Sequence, residues 1–267
     1  MSELAGKTII VTGASSGIGR AICLELSPER PNLALAARDA ARLEEVAAEC
    51  REKGAEALVV PTDVSSEDAC RDLVRRTGER FGGVDVLVAN AGRTMWARLD
   101  EVKDLSLYEE LMRTNYFGAV YPTFHALPYL KRSRGRIVVV SSVAGLTGVP
   151  ERTGYSATKH ALFGFFESLR IELQGTGVTI TIAAPDFVRS EIHRRAIGPD
   201  GKPLGVSPLS EGKIMTAEEC ARRIRRAMEK RQRLVITSAR GRFGRWARLF
   251  APRLVDSVAR RAIRRGI

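Results

Sequence analysis

Seven short runs of apolar and β-branched residues recur along the chain, and helix-patterned segments separate them. The runs are Lys7–Thr12, Leu33–Ala37, Ala57–Pro61, Val84–Ala89, Arg136–Ser141, Val178–Ala184 and Leu234–Thr237. Strands this uniformly apolar are buried on both faces, as in a parallel sheet covered by helices. The intervening segments read as helices over Gly17–Leu26, Ala40–Lys53, Glu67–Phe81, Leu105–Lys131 and Gly154–Leu173. Within Ala40–Lys53, Leu43, Val46, Ala47 and Cys50 fall at helical spacing. A capping-box pair, Thr216 and Glu219, opens a further helix to about Lys230. Repeated β-α units joined by right-handed crossovers predict an α/β fold, a doubly wound parallel sheet of about seven strands flanked by helices.

The rhythm breaks over Asp186–Ile214, a stretch holding Gly198, Pro199, Asp200, Gly201, Pro203, Gly205 and Pro208. A long irregular segment inside a compact domain points to a functional lid. The expected organisation is one catalytic domain over residues 1–239, with its lid at 186–214, followed by a tail at 240–267. With 267 residues, 44% of them hydrophobic, the chain is long enough for one large core. No stretch approaches the ~20 apolar residues of a membrane-spanning helix, and Met1–Gly6 does not read as a targeting signal, so the expected location is the cytoplasm. Cys23, Cys50, Cys70 and Cys220 stand far apart and the three histidines are scattered. Free thiols acting as small apolar side chains are the expected reading, and no metal site is expected.

Thr12-Gly13-Ala14-Ser15-Ser16-Gly17-Ile18-Gly19 lies between the first strand and the first helix. Glycines let a backbone turn tightly and approach a pyrophosphate, and a helix N-terminus offers free N–H groups to that anion. Ligands of doubly wound sheets bind at the carboxyl ends of the strands, where this loop sits. At the end of the second strand stand Ala37 and Arg38. Ala37 cannot accept a hydrogen bond from a ribose 2′-hydroxyl, whereas Arg38 can pair with a 2′-phosphate through its planar fork, and Ser15 can add a hydroxyl. NADP(H) is therefore the expected cofactor. A plain tight turn and a surface arginine are the competing readings.

Ser142 ends the fifth strand, and Tyr155 and Lys159 lie four apart at the start of a helix, on one face. A carbonyl that accepts hydride develops negative charge on oxygen and needs a proton donor and a fixed dipole. A free tyrosine titrates near pH ~10, and an adjacent ammonium favours its phenolate. The glycine loop, Asn90-Ala91-Gly92, Ser142, Tyr155 and Lys159, in this order over residues 7–190, resemble the short-chain dehydrogenase/reductase family. The resemblance implies a Rossmann-type domain in which Asp63-Val64 meets the adenine and Asn90, Ala91 and Gly92 stabilise the sheet and touch the cofactor. It further implies that Asn115 completes a proton relay with Tyr155 and Lys159, and that Pro185, Val188 and Ser190 contact the nicotinamide side. Together with Gly13, Ser15, Ser16, Gly17, Ile18, Gly19 and Arg38, these are the expected cofactor residues, with Ser142, Tyr155, Lys159 and Asn115 catalytic. The expected reaction interconverts a carbonyl and an alcohol on a small molecule, in a homodimer or homotetramer built on the two longest helices. A non-catalytic NADP-binding regulatory protein is the competing reading. Two departures from the family pattern stand out: Ser27-Pro28-Glu29-Arg30-Pro31 replaces a glycine turn, and Asp186 replaces a glycine after the sixth strand.

The net charge of +12 sits in the C-terminal part. From Lys213 onward there are 17 Lys and Arg against four Asp and Glu, so the rest of the chain is close to neutral. Over Arg240–Arg265 nine arginines interleave with Phe243, Trp246, Leu249, Phe250, Leu254, Val255, Val258 and Ile263, split by Pro252. Packing on the domain or a partner subunit competes with peripheral docking on an anionic membrane. The latter reading alone suggests a lipophilic substrate, steroid-, retinoid- or 3-oxoacyl-like. Charge without a recognition motif does not make a nucleic-acid binder, and none is expected.

Overall fold

A computed structural model of the chain describes residues 3–209 and 214–264. Within the expected lid, 210–213 lie outside the described residues, as do the first two and last three positions of the expected domain and tail. Seven strands form one sheet: β1 (Thr8–Thr12), β2 (Asn32–Ala37), β3 (Glu56–Pro61), β4 (Val86–Ala89), β5 (Arg136–Val140), β6 (Thr179–Ala184) and β7 (Leu234–Ile236). Their order is β3-β2-β1-β4-β5-β6-β7, with every neighbouring pair parallel. The order reverses between β1 and β4, and that switch point opens a crevice above the carboxyl ends of the strands.

Alternate strand residues feed two cores. Ile9, Val11, Leu33, Leu35, Val86 and Val138 pack beneath α1 (Gly17–Leu26), α2 (Ala40–Glu52) and α7 (Ala217–Glu229). Ile10, Leu87, Ile137, Val139 and Ile182 face the other way, beneath α3 (Glu67–Phe81), α5 (Gly118–Ser133) and α6 (Thr153–Glu172). This period-two division is why the strands read as apolar throughout. Thr216 caps α7 by accepting a hydrogen bond from the Glu219 N–H at 3.2 Å, as the capping pair predicts.

Three local features differ from, or add to, the sequence-based expectation. The long helix expected over Leu105–Lys131 is two: α4 (Ser106–Met112) and α5 are joined by a π-helical turn, Arg113–Phe117. Such a turn leaves the apolar spacing on either side intact, so periodicity cannot reveal it. In Ser27-Pro28-Glu29-Arg30-Pro31, a short 3₁₀ turn ends with Arg30 at φ 56°, where an arginine takes the left-handed conformation usual for glycine. The strand β2 that follows keeps its register on β1, so Ala37 and Arg38 stand at its carboxyl end. The tail forms two helices, α8 (Ala239–Phe250) and α9 (Pro252–Arg264), and Pro252 begins the second, where its missing N–H costs nothing.

Phe166 on α6 is fully buried. Its helix carries both Tyr155 and Lys159, so this ring anchors the helix that presents them. Phe166→Ala is expected to lower unfolding free energy by about 3–5 kcal/mol, read as a reduced midpoint with unchanged slope in denaturant titration.

Candidate active site

The loop after β1 is shaped by what a side chain could not fit. Gly13 has φ +67°, and a Cβ there would come within 2.9 Å of both the Ala91 Cα and the Asn90 Nδ2. Gly17 has φ +55° and approaches the Ser190 side chain. Ser16 precedes α1 without a side-chain hydrogen bond to the helix, and the first turn of α1 holds no acidic residue. Its N–H groups therefore remain available to an anion. Gly13, Ser15, Ser16, Gly17 and Ile18 line a continuous cleft of about 970 Å³, together with Arg38, Asp63, Val64, Asn90, Ala91 and Gly92. Gly19 lies behind the wall, where a Cβ would meet the Asn90 Nδ2 at 2.6 Å. Glycine cradle, uncapped helix and outer arginine together fit a dinucleotide diphosphate.

The cradle is latched to β4. Asn90 Nδ2 donates to the Thr12 carbonyl at 2.9 Å, while the Asn90 and Ala91 N–H groups donate to Thr12 Oγ1 at 3.0 and 3.1 Å. Asp63 accepts from the N–H and hydroxyl of Ser65 at 2.9 and 2.7 Å. Burial pushes its carboxyl up, but those bonds and the charges of Arg38 and Arg93 prevail and hold it below the usual range.

At the inner end of the cleft stand Ser142, Tyr155 and Lys159. Ser142 Oγ donates to the Pro185 carbonyl at 3.3 Å and accepts from the Ala144 N–H at 3.1 Å. Burial drives the Tyr155 phenol up, while the positive charge of Arg152 and a hydrogen-bonding interaction with Ser142 pull it down; the balance is a raised value. Lys159 Nζ donates to the Val140 carbonyl at 2.9 Å and lies 5.6 Å from the Tyr155 ring centre. Burial lowers its ammonium to about 8. Asn115 is buried behind this wall in the π-helical turn. Its Oδ1 accepts from the Arg93 N–H at 2.7 Å, and its Nδ2 donates to the Arg93 carbonyl at 2.9 Å and to Thr158 Oγ1 at 3.0 Å. Gly92 lets these groups meet, since a Cβ there would sit 3.2 Å from Asn115 Oδ1 and 3.7 Å from Lys159 Nζ.

Pro185, Val188 and Ser190 line the same cleft. Asp186, between them, is a tether. It accepts from Ser238 Oγ at 2.7 Å and from Arg240 Nη2 at 2.9 Å, and its own N–H donates to Thr237 Oγ1 at 3.2 Å. The carboxylate thereby fixes the start of α8 to the segment after β6. Arg248 Nη1 adds a bond to the Leu146 carbonyl at 2.5 Å. Phe243, Ala247, Leu254, Val255, Val258 and Ile263 then form a wall of the cleft.

The sequence-based reading missed Arg152. It stands at the N-cap position of α6, three residues before Tyr155, and that proximity was the available signal. Its guanidinium carbon lies 4.2, 5.3 and 5.7 Å from the ring centres of Trp96, Phe187 and Tyr155. Among the described residues, no three His, Cys, Asp or Glu side chains could hold a metal ion.

Comparison with known proteins agrees with this fold. Residues 7–198 match the family model described as short chain dehydrogenase. An 11-beta-hydroxysteroid dehydrogenase A of Sesamum indicum is 39% identical over 267 residues, covering 97% of this chain and 76% of the relative. A short-chain dehydrogenase/reductase from Burkholderia phymatum, solved in complex with NAD, superposes with a TM-score of 0.84 at 26% identity, covering 95% of this chain and 96% of that one. An alcohol dehydrogenase from the archaeon Thermococcus sibiricus, complexed with 5-hydroxy-NADP, gives 0.74 at 29% identity over 86% of this chain and 95% of that one. The family model spans most of the chain and the sesame relative is similar over nearly all of it, so the chain belongs to the short-chain dehydrogenase/reductase family of oxidoreductases.

Proposed function

We propose that the chain is an NADP(H)-dependent oxidoreductase that interconverts a carbonyl and an alcohol, with Tyr155 as the proton-transfer residue. The observation that carries this reading is the meeting of Ser142, Tyr155 and Lys159 at the inner end of the cleft whose outer end holds the glycine cradle and Arg38. A bound nicotinamide dinucleotide supplies the hydride. Arg38 holds the ribose 2′-phosphate, an assignment resting on its fork and on the absence of an acidic side chain at Ala37. Ser142, whose present bond to Pro185 is long, turns its hydroxyl to the substrate oxygen. Tyr155 gives its phenolic proton to that oxygen as negative charge develops on it. The Lys159 ammonium stabilises the phenolate left behind, and Asn115, held by three hydrogen bonds, keeps the relay behind it in place. In the oxidative direction the phenolate acts as base.

The apolar wall supplied by α8 and α9 supports a lipophilic substrate, as does the hydroxysteroid in the name of the sesame relative. Phe124 on α5 and Ile171 on α6 are exposed, which supports self-association through those helices. The tail supports membrane docking as a second role for residues 240–267. Phe243, Trp246, Leu249, Phe250 and Leu254 are all more than half exposed, amid arginines, on helices neither long nor apolar enough to span a bilayer.

Three outcomes follow. Tyr155→Phe is expected to lower kcat about 10²–10⁴-fold on a carbonyl panel with NADPH; unchanged turnover would overturn the mechanism, and no turnover by the parent chain would favour a regulatory NADP binder. The parent is expected to prefer NADPH over NADH, and Arg38→Ala to reduce that preference about 10–100-fold, measured as kcat/KM for each cofactor. Truncation of residues 240–267 is expected to reduce co-sedimentation with anionic liposomes, an effect that added salt should mimic in the full chain; equal binding by both chains refutes membrane docking.

A further inference from the structure

Among the described residues, the buried cation Arg152, which lines the cleft, has no carboxylate in an ion pair with it. Its residue surface is 5% exposed, and its Nε is buried with no hydrogen-bond partner. Among the described residues, its guanidinium has one polar contact, with His193 Nδ1 at 3.5 Å, at the limit of a hydrogen bond. Burial first, and the charge of Arg152 second, push His193 down to about 4, so that ring is neutral at physiological pH. Glu151 acts on Arg152 only through space, and Asp186 is committed to Ser238 and Arg240. Lys159 is a second buried cation, 5.6 Å from the same Tyr155 ring.

The rings of Trp96, Phe187 and Tyr155 offset part of the cost of burying this charge. They satisfy none of its N–H groups. With Trp96 at 4.2 Å from its face, the guanidinium has its donor edge left for a ligand. Burial lowers Arg152 to about 10, so the group stays charged at neutral pH. A planar fork of donors matches the two oxygens of a carboxylate better than a single carbonyl oxygen. The guanidinium carbon lies 5.7 Å from the Tyr155 ring centre, so a carboxylate held there sits within a few bonds of a carbonyl held by Ser142 and Tyr155.

We propose that Arg152 is the substrate-recognition residue for a carboxylate, and that the preferred substrates are apolar oxo acids, or hydroxy acids in the reverse direction, rather than neutral ketones. This rests on the oxidoreductase reading above for the reaction but not for the binding site. Phe187 and the α8–α9 wall, which line the cleft, take the apolar body, and the Arg152 edge takes the acid.

The test pairs an acid with its neutral analogue. With the NADP⁺-saturated protein, calorimetric titration of 2-naphthoate is expected to show at least about tenfold tighter binding than 2-naphthamide, the margin of a charge-assisted hydrogen bond. In turnover, an apolar 3-oxo acid is expected to beat its methyl ester by a similar factor, carried by KM. Arg152→Met should erase both differences when acid and neutral analogue are compared within the variant, and Arg152→Lys should restore part of the acid preference. Thermal melting checks that both variants fold, and the comparison within the parent chain needs no variant. Equal affinity of the parent for acid and amide overturns the proposal, as does an acid preference that survives Arg152→Met. If acid-selective binding is found but no carbonyl is reduced, the carboxylate site stands and the oxidoreductase reading falls.

Discussion

The latch between Thr12 and Asn90 holds the site open. A doubly wound sheet leaves a crevice where its strand order reverses, but nothing in that topology keeps the two flanking strand ends at a fixed distance. Here Thr12 accepts two backbone N–H groups from the end of β4, and Asn90 returns a bond to the Thr12 carbonyl. The glycine loop grows from one side of this latch, and Gly92 leads to Asn115 and Lys159 from the other. The glycine cradle and the Asn115–Lys159 side of the cleft are thus referenced to the same hydrogen bonds. A shift of either strand end would displace one end of the cleft relative to the other, and positioned catalysis tolerates little such error.

Charge along the cleft is graded in a way the bulk composition conceals. Arg38 stands at the outer end, the uncapped α1 terminus in the middle, and Lys159 and Arg152 at the inner end. The carboxylates nearby are already engaged: Asp63 by Ser65, and Asp186 by Ser238 and Arg240. An extended anion therefore meets favourable potential along its whole length. At the inner end the low dielectric strengthens the effect, and the Tyr155 ring centre lies within 6 Å of two cations, 5.7 Å from Arg152 and 5.6 Å from Lys159.

What was legible in the sequence is what depends on local pattern. Apolar runs such as Ile137–Val140 announce buried strands, and the glycines of the first loop announce a backbone that must turn and approach closely. Tyr155 and Lys159 share a face because helix geometry demands it. What stayed hidden depends on contacts between distant segments. The π-helical turn at Asn115 is held by Arg93 and Thr158, 22 and 43 residues away, and leaves no periodic trace. The role of Asp186 is set by Ser238 and Arg240, 52 and 54 residues on. Arg152 was within reach of its spacing from Tyr155, but its significance lies in a cage built from Trp96 and Phe187, which only the folded chain assembles.

Asp186 also explains how the tail takes part in the site. A glycine at this position would leave the segment after β6 and the start of α8 independent. The carboxylate instead binds Arg240 in a partly buried ion pair, with its own side chain 12% exposed, where such pairs hold geometry better than on the open surface. Because α8 then continues along the cleft and α9 returns across it, any force on the exposed apolar face of the tail acts on the loop that carries Pro185 and Val188. The same helices that form this wall of the cleft expose Trp246, Leu249 and Phe250, which do not line it. A lipophilic molecule leaving an apolar phase at that face would reach the cleft without crossing bulk water, and the apolar transfer cost avoided grows with the area of the substrate. Asp186 thus joins the tail to the loop after β6 in one set of contacts.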